Sequence, residues 1–200
     1  MKRLSRCLVT YALVLVPSGL WGQTVWDAPS FLRPGAPAGL TLALTDHDPG
    51  DALGGLAIWR NANAPAGLGF RAGLSEAPGD DVVGLLGLDI SGSLSGPTGP
   101  GSPELMWWTG AGVALADAVS ASFPLGLVMG WTAREEGISF MPYVGGHMVL
   151  DVLFEGDDEL DLDGAVDLGL DLGTASGWVF RFGAALGGRE ALGIGVTIPR

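Results

Sequence analysis

The sequence is poor in the residues that disulfide, thiol and nucleic-acid chemistry require. It has a single cysteine, Cys7, and only 10 Lys and Arg residues against 22 Asp and Glu residues. One cysteine cannot form a disulfide within the chain, and phosphate binding needs clustered bases. The composition therefore excludes a disulfide scaffold, and we expect no nucleic-acid partner.

Residues 1–22 have the pattern of a secretory signal peptide. Basic residues precede the apolar run 7–16, and small residues follow it up to Gly22. The run is too short to cross a bilayer, which takes about 20 apolar residues. Of the 10 bases, three (Lys2, Arg3, Arg6) lie in this segment, which leaves 7, all Arg, against 22 acids and a net charge of −15. We expect the remaining chain to contain neither Cys nor Lys.

Helical periodicity is also missing from Gly39 onward. Apolar residues instead alternate with small or polar residues in short stretches separated by Gly, Pro, Asp and Asn, which is typical of β-strands. The clearest stretch is 160–173, where Leu and Val alternate with Asp and Gly. Ten strands are predicted, at 39–46, 52–60, 67–75, 82–94, 105–116, 120–132, 138–154, 160–172, 178–187 and 191–198. The count falls to eight if the weakest, 52–60, is not a strand or if two strands merge.

The short connections between these strands predict antiparallel pairing of sequence neighbours. The expected fold is all-β, a closed up-and-down antiparallel barrel of 8–10 strands over residues 39–200. Residues 23–38 form an irregular lead-in between the signal peptide and the barrel. No further domain boundary is indicated.

The residues opposite the apolar face decide which way that face points. A soluble barrel turns its apolar face inward, whereas a membrane barrel turns it outward to lipid. The second face is mostly small: Thr41, Ala43, Gly110, Gly112, Ala114, Gly126, Gly130, Gly193, Gly195 and Thr197. Small residues suit a cramped barrel interior, while a water-exposed face normally carries longer polar side chains. The pattern favours apolar side chains that face outward.

Aromatic residues collect at one rim when the strands run alternately up and down. Such a girdle is typical of a membrane interface. We predict a membrane-interface girdle of Trp59, Trp107, Trp108, Trp131 and Trp178.

At this level of pattern, residues 39–199 resemble small bacterial outer-membrane β-barrel proteins. The resemblance implies a signal peptide, an even strand number and aromatic belts. The chain departs from such proteins at its C-terminus, which ends in Ile198, Pro199 and Arg200 and not in an aromatic residue.

Charged residues on the small-residue face predict a polar network inside the lumen. Its expected members are Arg71, Asp89, His147, Asp151, Asp161, Asp163, Asp167, Asp171 and Arg181. If the strands at 160–172 and 178–187 pair through a turn at 173–177, Gly169 lies opposite Arg181, and Arg181 is diagonal to two aspartates. The network is expected to fix the barrel's shape or to line a passage.

The rim opposite the predicted aromatic girdle contains acidic turns at 46–51, 76–81 and 155–159 together with Asp117 and Glu190. Weak binding of divalent cations is expected there, since several carboxylates converge. His47, between Asp46 and Asp48, is the one candidate for general-base chemistry, but no nucleophile or acid can be placed beside it by spacing. We therefore expect no catalytic residues, no bound metal and no cofactor.

The expected function is that of a non-enzymatic outer-membrane β-barrel, either a structural envelope component or a narrow cation-preferring pore, with the lipid bilayer as its partner. One alternative is a soluble periplasmic or secreted β-barrel or sandwich that binds an apolar ligand. A second alternative is an outer-membrane lipid-modifying enzyme that uses His47.

Overall fold

The fold is taken from a computed structural model that describes residues 24–47, 49, 52–61, 67–77, 81–96, 98–99, 101–116, 118–154 and 159–198. The predicted signal peptide, most of the acidic turns, Asp117 and the last two residues lie outside the described residues. The described part contains no helix of the length and apolar character needed to cross a membrane.

Eleven β-strands make up the described regular structure, and all ten predicted strands are among them. The strands are β1 Gly39–His47, β2 Ala52–Asn61, β3 Gly67–Ala77, β4 Asp81–Ser95, β5 Glu104–Leu115, β6 Val119–Gly130, β7 Ala133–Glu135, β8 Ile138–Leu153, β9 Glu159–Thr174, β10 Val179–Gly187 and β11 Ala191–Ile198.

Ten of these strands close into an antiparallel up-and-down barrel, as predicted. Each strand pairs with its sequence neighbours, β1 pairs with β11, and β6 pairs with β8. The three residues of β7 extend the end of β8 only. The strand at 52–60, the weakest in the sequence, is present as β2, so the strand number is ten rather than eight.

Alternation along each strand separates an outer apolar face from an inner face of small and charged residues. In β1, Leu40, Leu42 and Leu44 are exposed, whereas Thr41 and Ala43 between them are buried. All ten barrel strands carry at least one large apolar side chain that is exposed. Successive side chains of a strand point to opposite faces of the sheet, so the register of a strand determines which of its side chains point inward and which point outward.

The two rims of the barrel are named here by their residues. The termini rim is the edge at which Gly39 begins β1 and Ile198 ends β11, and the turn rim is the edge at which His47 ends β1 and Ala191 begins β11.

The lumen plug, residues 24–38, passes through the barrel from one rim to the other. Thr24 is hydrogen-bonded to Arg189, which lies beside β11 at the turn rim. Pro34 lies next to Gly130 at the termini rim. The plug has turns and bends but no strand. Prolines interrupt the segment, and a proline cannot donate a ladder hydrogen bond. Trp26, Phe31 and Leu32 of the plug are almost fully buried, so the plug and the inner wall together form the barrel's core.

Glycines of the wall make room for the plug. A Cβ atom on Gly112 would lie 2.5 Å from Val25 Cγ1 and 2.7 Å from Trp26 Nε1. A Cβ atom on Gly193 would lie 2.7 Å from Phe31 Cζ. At these positions the small inner face is therefore explained by the apolar side chains of the plug, which pack against bare backbone.

Gly112→Ala is expected to destabilise the folded barrel by about 1–3 kcal/mol, because overpacking forces the plug or the wall to shift. Gly146→Ala is the matched control, since a Cβ atom there meets nothing within 4 Å. The control should stay within about 0.5 kcal/mol of the parent. Urea unfolding of the purified protein, followed by tryptophan fluorescence, measures both. Equal midpoints for the two variants would show that the plug does not pack against Gly112.

Candidate functional site: the lumen and its plug

The plug is tied to the β9–β10 wall by a cluster of one acid and two bases. Asp171 of β9 accepts hydrogen bonds from Arg181 Nε at 3.0 Å and Nη2 at 2.9 Å, and from Arg33 Nε of the plug at 2.5 Å. Arg181 Nη2 also donates to the Phe31 carbonyl oxygen of the plug at 2.7 Å.

A second cluster holds the plug from the β2–β4 wall. Asp89 of β4 accepts from Arg60 Nη2 at 2.6 Å and from Arg71 Nε at 3.3 Å. Arg71 Nη2 donates to the Ser30 carbonyl oxygen at 2.5 Å, and its guanidinium carbon lies 4.4 Å from the centre of the Trp26 ring. One arginine thus binds both the backbone and an aromatic face of the plug.

A third cluster lies at the turn rim. Arg189 forms ion pairs with Asp27 of the plug and with Asp151 of β8, and it donates to Thr24 Oγ1 at 3.0 Å. Asp163 Oδ2 lies further away, 3.9 Å from Arg189 Nη2. Arg189 therefore binds the N-terminal end of the plug and also joins β8 to the β10–β11 turn.

The fourth contact combines a histidine, an acid and stacked rings. His147 Nδ1 of β8 lies 3.0 Å from Asp167 Oδ2 of β9, and the Ser30 backbone N–H donates to Asp167 Oδ1 at 3.4 Å. The ring centres of Trp26 and Trp108 are 5.4 Å apart, and those of Trp108 and His147 are 5.6 Å apart. The ring stack joins the plug to β5 and β8.

Together these contacts make the lumen a binding site for an extended peptide segment, and the occupant is the chain's own residues 24–38. Two wall arginines bind successive carbonyl oxygens, of Ser30 and Phe31, and one wall aspartate binds a backbone N–H. Such charge-assisted hydrogen bonds are stronger than those between neutral groups. The arrangement provides binding and closure.

The structure brings seven of the nine predicted network residues into the lumen. Arg71, Asp89, His147, Asp151, Asp167, Asp171 and Arg181 are buried there. Asp161 and Asp163 are half-exposed near the turn rim. Because the buried aspartates face arginines or a histidine, the row of aspartates does not form a net negative passage.

Three arginines of the network were not predicted from the sequence. Arg60 ends a stretch whose alternation is blurred, Arg189 lies in a turn, and Arg33 lies in the aperiodic plug. The available signal was composition, since only seven arginines follow the predicted signal peptide. Five of the seven are buried in the structure, namely Arg33, Arg60, Arg71, Arg181 and Arg189.

The predicted register between β9 and β10 is wrong by two residues. Arg181 lies directly opposite Asp171, and Gly169 lies opposite Gly183. The turn is centred one residue later than expected, because Gly177 takes the left-handed conformation, with φ of 88°. A shift of two residues preserves the side-chain faces, so Arg181 still points inward and bonds Asp171 directly rather than diagonally.

The tryptophans of the predicted girdle divide between the two faces. Trp131 and Trp178 are exposed at the termini rim, and Trp59 and Trp107 are partly exposed there. The assignment of Trp108 to the girdle is wrong, because Trp108 is only 1% exposed and stacks on Trp26 inside the lumen. Trp107 and Trp108 are consecutive in β5, so only one of them can face outward.

His47 lies at the turn-rim end of β1 and is buried on the lumen side, where its Nε2 is 3.0 Å from Thr45 Oγ1. Among the described residues, no group of three or more His, Cys, Asp or Glu side chains is placed to hold a metal ion. Most acidic turn residues proposed to bind divalent cations are outside the described part of the chain.

An apolar depression of about 600 Å³ lies on the outer surface and not in the lumen. Exposed Phe70, Leu88 and Phe123 stand around the small residues Ala72 and Ala111.

Comparison with protein-family models, curated proteins and solved structures finds no match for this chain.

Proposed function

We propose that the protein is a non-enzymatic outer-membrane β-barrel that serves as a structural component of the envelope, with its lumen closed by its own residues 24–38. Its partner in this role is the lipid bilayer. The observation that carries the proposal is the inversion of the barrel: charged residues are buried, and large apolar residues of all ten barrel strands are exposed.

The inversion supports a lipid environment on energetic grounds. Soluble monomers rarely expose contiguous apolar patches larger than a few hundred Å². Leu44, Leu125 and Leu160 are each more than 60% exposed, and they belong to three different strands. A closed barrel also satisfies every backbone group within the sheet, which hydrocarbon requires. The exposed aromatics at the termini rim fit an interface position.

The soluble alternative has less support. A ligand-binding barrel needs an open apolar core, whereas this lumen is filled by Trp26, Phe31 and Leu32. The apolar depression that does exist opens outward.

Fractionation tests the proposal. The chain is expressed with its first 22 residues, and membranes are washed with alkaline carbonate. The protein should stay in the pellet and should migrate differently on a gel before and after boiling. Release into the supernatant together with unchanged migration would contradict the proposal and favour a soluble barrel.

A further inference from the structure

The plug is held by side chains and not by strand pairing. The backbone–backbone hydrogen bonds seen for the described plug residues, Asp27 N to Thr24 O and Ala36 N to Arg33 O, are internal to it. Its ties to the wall include the side chains of Arg71, Arg181 and Arg189 and those of Asp167 and Asp171. The barrel ladder can therefore stay intact while the plug leaves.

The wall remains charge-paired without the plug. Asp89 keeps Arg60 and Arg71. Asp171 keeps Arg181, and Asp151 keeps Arg189. The two charged residues that would leave, Asp27 and Arg33, carry opposite charges, so departure of the plug leaves the net charge of the lumen unchanged. Loss of the plug does not create the unpaired buried charge that makes most such deletions costly.

The space behind the plug cannot be refilled by the wall. The positions that face the plug include Gly87, Gly110, Gly112, Gly183 and Gly193, which have no side chains to turn into the gap. A polar, glycine-lined gap that extends from rim to rim is suited to water. Eight-stranded barrels are filled by side chains alone, whereas this ten-stranded barrel uses a separate segment to fill its lumen.

We propose that residues 24–38 are a displaceable plug and that the barrel without it is a water-filled passage. The passage rests on the proposed membrane location. Its wall carries Asp89, Asp151, Asp167 and Asp171 against four arginines, so ion selectivity is weak. Any cation preference comes from the turn rim, where Asp161 and Asp163 lie.

Planar-bilayer recording of the purified barrel tests the passage. A variant that lacks residues 24–36 keeps the predicted signal segment and joins it to β1 through Pro37 and Ala38. This variant should show steady conductance steps that the parent lacks. A deletion variant that inserts and keeps its heat-shifted gel migration but never conducts would overturn the proposal.

A second pair of variants tests displacement without deletion. Asp27→Ala/Arg33→Ala removes both charged groups of the plug and leaves the wall pairs intact. We expect its open probability to rise at least about tenfold, which corresponds to the loss of about 1.4 kcal/mol of closure. Arg134→Ala/Glu135→Ala, on the exposed β7, is the matched control and should behave like the parent.

A disulfide then shows whether the plug itself controls the conductance. A Cβ atom on Gly183 would lie 2.9 Å from the Pro29 Cβ atom, slightly closer than the ~3.5–4.5 Å of a disulfide. Pro29→Cys/Gly183→Cys, added to Asp27→Ala/Arg33→Ala, should abolish conductance when oxidised and restore it when reduced. Conductance that is unaffected by oxidation, with the cross-link confirmed by mass, would overturn the proposal even if the deletion variant does not fold.

Failure of the parent to insert would count against the membrane location. If the deletion variant and the Ala variant insert but do not conduct, the result would count against the displaceable plug alone.

Discussion

Leu168→Arg is expected to lower the stability of the barrel in a lipid bilayer by about 2–4 kcal/mol and to reduce the yield of inserted protein. Leu168 lies in the middle of β9, is exposed on the outer face, and is flanked across the sheet by Val144 and Ala184. An arginine there would enter the centre of the hydrocarbon layer if the barrel spans a membrane.

Leu160→Arg supplies the matched control. Leu160 lies in the same strand and on the same face, is 68% exposed, and is close to the turn rim. An arginine at the interface should cost only about 0–1 kcal/mol. Both variants are compared by denaturant unfolding in lipid vesicles and by the fraction that shows heat-modified gel migration. Equal behaviour of the two variants, each as stable as the parent, is the outcome expected of a soluble barrel and would exclude the membrane proposal.

Asp171→Ala is expected to destabilise the folded barrel by about 3–5 kcal/mol, because it leaves the buried guanidinium groups of Arg33 and Arg181 without a carboxylate. This loss of stability should appear as a lower midpoint of unfolding in detergent. Asp161→Ala, on the inner face of the same strand but half-exposed, should cost less than about 1 kcal/mol.

A double variant separates the two arginines. If Arg33 shares the carboxylate, adding Arg33→Ala to Asp171→Ala should cost less than the sum of the two single changes. Strict additivity would show that Arg33 does not interact with Asp171 in solution. Such a result would remove one of the ties on which closure of the lumen depends.

The strands and the faces of the barrel could be read from the sequence because both depend on local alternation. Leu160 to Leu172 and Leu40 to Leu44 repeat with the period of a strand, and that period decides which side chains point outward. The error at Trp108 came from assigning residues to a rim by strand parity alone, although consecutive tryptophans must point to opposite faces.

The plug could not be predicted in the same way. Its ties join residues far apart in sequence: Ser30 and Asp167 are 137 residues apart, and Thr24 and Arg189 are 165 apart. Residues 24–38 have no periodicity from which a partner surface could be inferred. The arrangement of charges across the lumen depends on barrel closure and on the exact register of β9 against β10, which Gly177 decides.

The path of residues 24–38 has a consequence for how the molecule is oriented and assembled. A barrel with an even number of strands normally begins and ends on the same side, yet here Thr24 and Ile198 are at opposite mouths. If the barrel spans a membrane as proposed, a tag placed ahead of Thr24 and a tag that follows Ile198 would therefore face different compartments. The seam between β1 and β11 closes around residues 24–38, so in the folded barrel the leading end of the described chain is enclosed by strands that follow it in the sequence.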